Sequence, residues 1–171
     1  MRGYFGIGAE EISKAMNLGA LMRTAHAFGA SFFFTINAFH KARDAYNADT
    51  SRSFGHVPYY PYDAVEDLRL PKGCALVGIE LTDDAVDLPV FKHPQAAAYV
   101  LGKERGSLSP ELLSRCSHVV KIPTKFCINV GLAGALVMYD RVLSMGGYPA
   151  RPIMPGGPPP EMAERVKARR V

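Results

Sequence analysis

Cysteine is scarce in this 171-residue chain: Cys74, Cys116 and Cys127 are widely spaced, odd in number and form no CxxC pair. Neither a disulfide framework nor a thiolate zinc site fits that pattern. The five histidines, His26, His40, His56, His93 and His118, are scattered singly, so no metal is expected. Long apolar runs are absent too, and no membrane span is expected. The N-terminus lacks the charged, apolar and small-residue order of a secretory signal, which makes a cytoplasmic location the expectation. Charged residues reach only 21% against 48% hydrophobic. That balance excludes wholesale disorder, and the length suits one compact domain with a substantial core.

What charge there is sums to +4, and its placement says more than its size. Within the last eleven residues Arg165, Lys167, Arg169 and Arg170 oppose only Glu161 and Glu164. A solvated helix and a contact to a polyanion such as RNA explain that tail equally well. Upstream of it, Tyr148 to Glu161 (YPARPIMPGGPPPE) reads as an extended strap. We therefore divide the chain into a domain over residues 1–147 and a strap with a basic tail over 148–171. A second irregular stretch, Phe39 to Asp63, mixes His40, Lys41, Arg43, Arg52 and His56 with Tyr46, Tyr59, Tyr60 and Tyr62. Basic groups meet phosphates and aromatic faces stack on unpaired bases, so this segment is a candidate RNA contact; an ordinary surface loop fits it as well.

Elsewhere strand-like and helix-like patterns alternate. Tyr4 to Ala9, Ser31 to Ile36, Leu76 to Leu81, Ala96 to Leu101 and His118 to Ile122 are short apolar runs of the kind buried on both faces. Between the first two, Leu18, Leu21, Met22, Ala25 and Phe28 follow the helical rhythm, with Asn17 placed to cap the start and Gly29 the end. Ser109-Pro110-Glu111 marks the start of another helix. From Asn129 to Met145 the chain is helix-compatible and apolar nearly all round, which predicts burial on every side. Gly131 and Gly134 inside that run each cost about 1 kcal/mol relative to alanine, and mark a place of close approach. The fold class is α/β, a mostly parallel sheet with helices on both faces.

Three segments carry the candidate chemistry: Asn17 to Gly29 (NLGALMRTAHAFG), Leu101 to Pro110 (LGKERGSLSP) and Ile122 to Tyr139 (IPTKFCINVGLAGALVMY). The second follows a predicted strand, where open α/β sheets bind ligands, yet it lacks both GxGxxG and GxxxxGK[ST]. A tight turn accounts for its glycines, and a simple N-cap for Asn129.

Taken in order, the three segments resemble the three motifs of the SpoU/TrmH family of RNA 2′-O-methyltransferases in the SPOUT superfamily. The resemblance implies a deep C-terminal trefoil knot, which physical reasoning alone would not propose. It further implies a homodimer with the active site at the subunit interface, S-adenosylmethionine as cofactor and RNA as substrate, with tRNA favoured and rRNA the other choice. By the same resemblance Asn17 and Arg23 match the first motif, Glu104 the second and Asn129 the third, with Arg23 the favoured catalytic group. Ile79, Gly102, Ile122 and Ile128 match positions whose backbone holds the cofactor. The third motif departs from the family pattern, because Cys127 and Gly131 stand where hydroxyl residues are usual. A base methyltransferase of the same superfamily, or a silent dimeric RNA-binding protein of the same fold, is the competing reading.

Overall fold

The computed structural model describes residues 3–39, 55–103, 106–148 and 155–156. Glu104, most of the strap, the basic tail and residues 40–54 of the basic and aromatic segment lie outside the described residues. Among the described residues seven strands form one all-parallel sheet. They are β1 (Tyr4–Glu10), β2 (Phe32–Ile36), β3 (Tyr59–Tyr62), β4 (Ala75–Ile79), β5 (Val86–Asp87), β6 (Ala96–Leu101) and β7 (His118–Lys121). Their order across the sheet is β3-β2-β1-β6-β4-β7-β5. The α-helices among the described residues are α1 (Ala15–Ala27), α2 (Pro110–Arg115) and α3 (Val130–Ser144).

Side-chain alternation sorts the apolar strands between two cores. Along β6, Ala97, Tyr99 and Leu101 join Leu18, Leu21, Met22, Val137 and Met138 under α1 and α3. Ala98 and Val100 point the other way, to Phe34, Leu76 and Leu112 under α2. Helices thus cover both faces, as the continuous apolar runs predict. Two strands escape the sequence reading. In β3 (YYPY) Pro61 removes a ladder donor, which only an edge position tolerates, and β5 has two residues.

Helix ends follow local chemistry with one exception. Asn129 caps α3 by accepting from the N–H groups of Gly131 and Leu132, and Ser109 caps α2. Gly29 ends α1 at φ +74°, with its N–H on the carbonyl of His26 and that of Ala30 on Ala25, the paired closure of a Schellman turn. Asn17, however, does not cap α1. The helix begins earlier, and the Lys14 carbonyl accepts the first helical bond from Leu18. Asn17 sits in the first turn with its side chain available to a distant partner. The all-round burial predicted for α3 also needs correction. Gly134 packs so closely that an added Cβ would collide with the Leu21 side chain of α1, but Leu132, Leu136 and Tyr139 line an exposed face of α3.

At the amino-terminal edge of the sheet a buried polar network ties α3 to β1 and β6. Arg141, 3% exposed, donates to the carbonyls of Pro94, Tyr4 and Gln95 and to the Tyr99 hydroxyl, and lies 5.2 Å from the centre of the Phe5 ring. Tyr99 Oη thus accepts from Arg141 and donates to His93 Nδ1 at 2.6 Å, leaving His93 Nε2–H to donate to Asp140 at 2.9 Å. Burial pushes the Tyr99 phenol up to about 12, so it stays a donor. Burial also holds His93 below its ordinary 6.5, against the opposing pull of Asp140. The unfolded chain therefore takes up a proton near 6.5 while the folded chain does so only lower, and stability declines as pH falls from 6.5 through the folded value. Urea denaturation between pH 8 and pH 5 is expected to show this decline, and His93→Gln to flatten it. An equally steep profile in His93→Gln would remove His93 as its cause.

Candidate active site

The carboxyl ends of β4, β6 and β7 open into a cleft of about 320 Å³, closed on one side by the starts of α1 and α3. Its apolar lining comes from Ile79, Leu101, Ile122, Ile128 and Val130, and its polar lining includes Lys14, Asn17, Glu80, Lys103 and Thr124. Parallel strands place their following loops at one edge, so residues far apart in sequence meet there. All four positions expected to hold a cofactor, Ile79, Gly102, Ile122 and Ile128, line this cleft, together with Asn17 and Asn129.

The two asparagines are joined directly. Asn129 Nδ2 donates to Asn17 Oδ1 at 3.1 Å, while Asn129 Oδ1 accepts from Gly131 N at 2.8 Å. Asn129 thus caps α3 through its oxygen and, through its nitrogen, ties the third segment to the first. Arg23 is placed differently. It is exposed on α1 and absent from the cleft lining. Six residues beyond Asn17, it lies about 9 Å along the helix axis and about 120° around it.

Glu10 and Glu80 carry no motif signal in the sequence, whereas Lys103, Thr124 and Cys127 fall within the second and third segments. Glu10, 4% exposed at the end of β1, accepts from Ser109 N at 2.7 Å and from Ser109 Oγ at 2.5 Å. Glu80, just after β4, accepts from Leu81 N at 3.1 Å through one oxygen and from Leu108 N at 2.7 Å through the other. Lys103 Nζ pairs with Glu11 at 2.8 Å, and that hydrogen bond holds its ammonium pKa above the ordinary value. Thr124 donates through its hydroxyl to the Phe126 carbonyl at 2.9 Å, shaping the turn ahead of α3. Cys127 lies exposed at the cleft with a free thiol. Among the described residues no group of three or more His, Cys, Asp or Glu side chains is placed to hold a metal ion, and no helix is long and apolar enough to cross a membrane.

Fold and cleft together define an α/β protein whose candidate site lies at the carboxyl edge of a parallel sheet, assembled from distant loops. The chain belongs to the SpoU rRNA Methylase family, whose model matches residues 5–139. It is 28% identical over 148 residues to the tRNA (guanosine(18)-2′-O)-methyltransferase TARBP1 of Mus musculus, a match covering 77% of this chain and 9% of that protein. Among solved structures it is similar to an AdoMet-bound rRNA methyltransferase from Sinorhizobium meliloti, at a TM-score of 0.74 and 20% identity, over 84% of this chain and 57% of the other. It is also similar to the TrmH/SpoU tRNA modifying enzyme of A. aeolicus, at a TM-score of 0.71 and 18% identity, over 96% and 86%. This chain thus spans 9% of the mouse protein and little more than half of the Sinorhizobium chain.

Proposed function

We propose that this protein transfers a methyl group from S-adenosylmethionine to a ribose 2′-oxygen of RNA, with tRNA the favoured substrate. The observation that carries the reading is the Asn17–Asn129 hydrogen bond, which joins the first and third motif segments beside a cleft lined by all four expected cofactor positions. The cleft suits the cofactor: Ile79, Leu101, Ile122 and Ile128 offer a flat nucleobase an apolar slot, and its volume lies near the lower end for small-molecule sites. Gly102 lines the same cleft. When bound, the cofactor supplies a methyl group already activated on a sulfonium.

The protein's own task is then to place the 2′-oxygen in line and to favour loss of its proton. A guanidinium is protonated at any ordinary pH, so Arg23 acts by gripping the adjacent phosphate and stabilising negative charge developing on the oxygen. Glu104 orients Arg23 or the substrate in this reading. Asn17 and Asn129 fix the loops around the cleft, and Thr124 supplies order where the usual motif-three hydroxyls are replaced by Cys127 and Gly131.

Arg23 does this from a second copy of the chain. Its position off its own cleft fits a homodimer in which each Arg23 serves the partner's site. Exposed apolar side chains support that assembly: Met16 is 76% exposed on α1, Leu132 63% on α3, and Leu136 and Tyr139 continue the α3 stripe. Apolar side chains exposed at this helical spacing on α3 fit an interface. The trefoil knot belongs to the same reading, supported by the insertion of β6 between β1 and β4 and the return of β7 outside β4. The test is transfer of labelled methyl from S-adenosylmethionine to unfractionated tRNA. Cofactor binding with no transfer would return the silent RNA-binding reading, which rests on Cys127 and Gly131.

A further inference from the structure

We propose that Glu10 and Glu80 are positioning residues that clamp the loop after β6 from both sides and so set the shape of the cofactor cleft. In the sheet β6 lies between β1 and β4. The loop leaving β6 therefore emerges between the ends of those two strands, and each neighbour ends in a carboxylate that reaches it. Glu10 holds Ser109 through backbone and hydroxyl, and Glu80 holds Leu108 through backbone. Glu80 also lines the cleft and takes the N–H of Leu81, so one carboxylate bridges two of the loops that form the wall. Hydrogen bonds from N–H groups to an ionised carboxylate are short and about twice as strong as neutral ones.

Gly102 shows, independently of the hydrogen bonds, how closely the loop folds back. A Cβ built there would lie 3.1 Å from Leu108 N, 3.3 Å from the Ser107 carbonyl carbon and 3.6 Å from Glu80 Oε2. The N–H that Glu80 accepts is thus the atom that lies over the glycine. Clamp and glycine are one packing arrangement: the carboxylates hold Leu108 and Ser109 down, and a Cβ at residue 102 would press on Leu108 by a few tenths of an ångström. The backbone of Gly102 is thereby presented to the cleft at a fixed height.

The two carboxylates respond differently to loss of charge. In Glu80→Gln one oxygen becomes an NH₂ that faces a backbone N–H, either Leu81 or Leu108, and neither can reverse its role. In Glu10→Gln the carbonyl keeps Ser109 N, while the Ser109 hydroxyl turns to accept from the new NH₂, because a hydroxyl is both donor and acceptor. Glu10→Ala loses both contacts.

This inference rests on the proposed cofactor, so the experiment has one arm that does not need it. Amide exchange is measured for Leu108 and Ser109 in the wild type, Glu80→Gln, Glu10→Gln and Glu10→Ala, and methyl transfer is followed against S-adenosylmethionine concentration. In Glu80→Gln the expected result is faster exchange at Leu108, a KM for cofactor raised about tenfold, and kcat at saturation close to wild type. Glu10→Gln should lie near wild type, and Glu10→Ala should show faster exchange at Ser109 with a raised KM. Unchanged exchange at Leu108 in Glu80→Gln, or a Glu10→Gln as impaired as Glu10→Ala, would overturn the clamp. Should Glu80→Gln fail to fold, the Glu10 pair still decides. A wild type that binds no S-adenosylmethionine would instead remove the cofactor reading and leave the exchange arm standing.

Discussion

Arg23→Ala is expected to lower methyl transfer to RNA by about 10²- to 10³-fold, the cost of removing one preorganised group that stabilises a developing oxyanion. Cofactor affinity should be unchanged, because in the proposed mechanism Arg23 grips the RNA phosphate and not the cofactor. Arg23→Lys keeps the charge and loses the planar fork that grips phosphate in two places, so it should recover only part of the rate. Single-turnover transfer at saturating cofactor, beside calorimetric titration of the cofactor, separates the two effects. Co-expression adds a test of where Arg23 acts. A dimer mixing an Arg23→Ala chain with a Gly102→Val chain holds one cleft that is intact and faces an intact arginine, so activity rises in the mixture well above that of either variant alone. No recovery would place Arg23 in the site of its own chain.

The largest effect on stability is expected at Arg141. Arg141→Ala removes the guanidinium donor from the carbonyls of Tyr4, Pro94 and Gln95 and from the Tyr99 hydroxyl, and of these the Gln95 carbonyl keeps the N–H of Tyr4. Each buried group so abandoned costs about 1–3 kcal/mol, so two or three of them together cost about 3–5 kcal/mol. A loss of about 3–5 kcal/mol in urea denaturation follows, with a fall in Tm of roughly 10 °C or more. The guanidinium also packs against Phe5 and Tyr99, so Arg141→Lys should rescue little. The network joins α3 to the strand ends opposite the cleft. Cofactor affinity measured well below Tm should therefore survive, and a loss below about 1 kcal/mol would show that water replaces the guanidinium at these carbonyls.

How much of this was legible in the chain depended on how local each cause is. Strands β2 and β6 announce themselves because burial on both faces leaves a continuous apolar run, as in FFFTI and AAAYVL. Strand β3 does not, since Pro61 speaks against a strand unless its edge position is already known. Gly134 marked a close approach correctly, and the partner proved to be Leu21 of α1. Asn17 looked like a cap because asparagine favours caps, whereas its side chain is engaged by Asn129, 112 residues away. The same distance problem hid the clamp. Glu10 and Glu80 act on backbone N–H groups 99 and 28 residues further along, and no side-chain pattern records a backbone partner. The exposed α3 stripe was hidden for the opposite reason: an apolar face the chain leaves open reads in sequence like one it covers.

The central claim is that the three loops around the cleft place a ribose 2′-oxygen for methylation. It is tested most directly by where labelled methyl from S-adenosylmethionine comes to rest after reaction with tRNA and complete alkaline hydrolysis. A methylated 2′-oxygen cannot attack its neighbouring phosphate, so label on ribose survives in alkali-resistant dinucleotides. We expect the label there, and expect it to vanish with Arg23→Ala. Label recovered in mononucleotides would mean that a base is methylated, and would contradict the account.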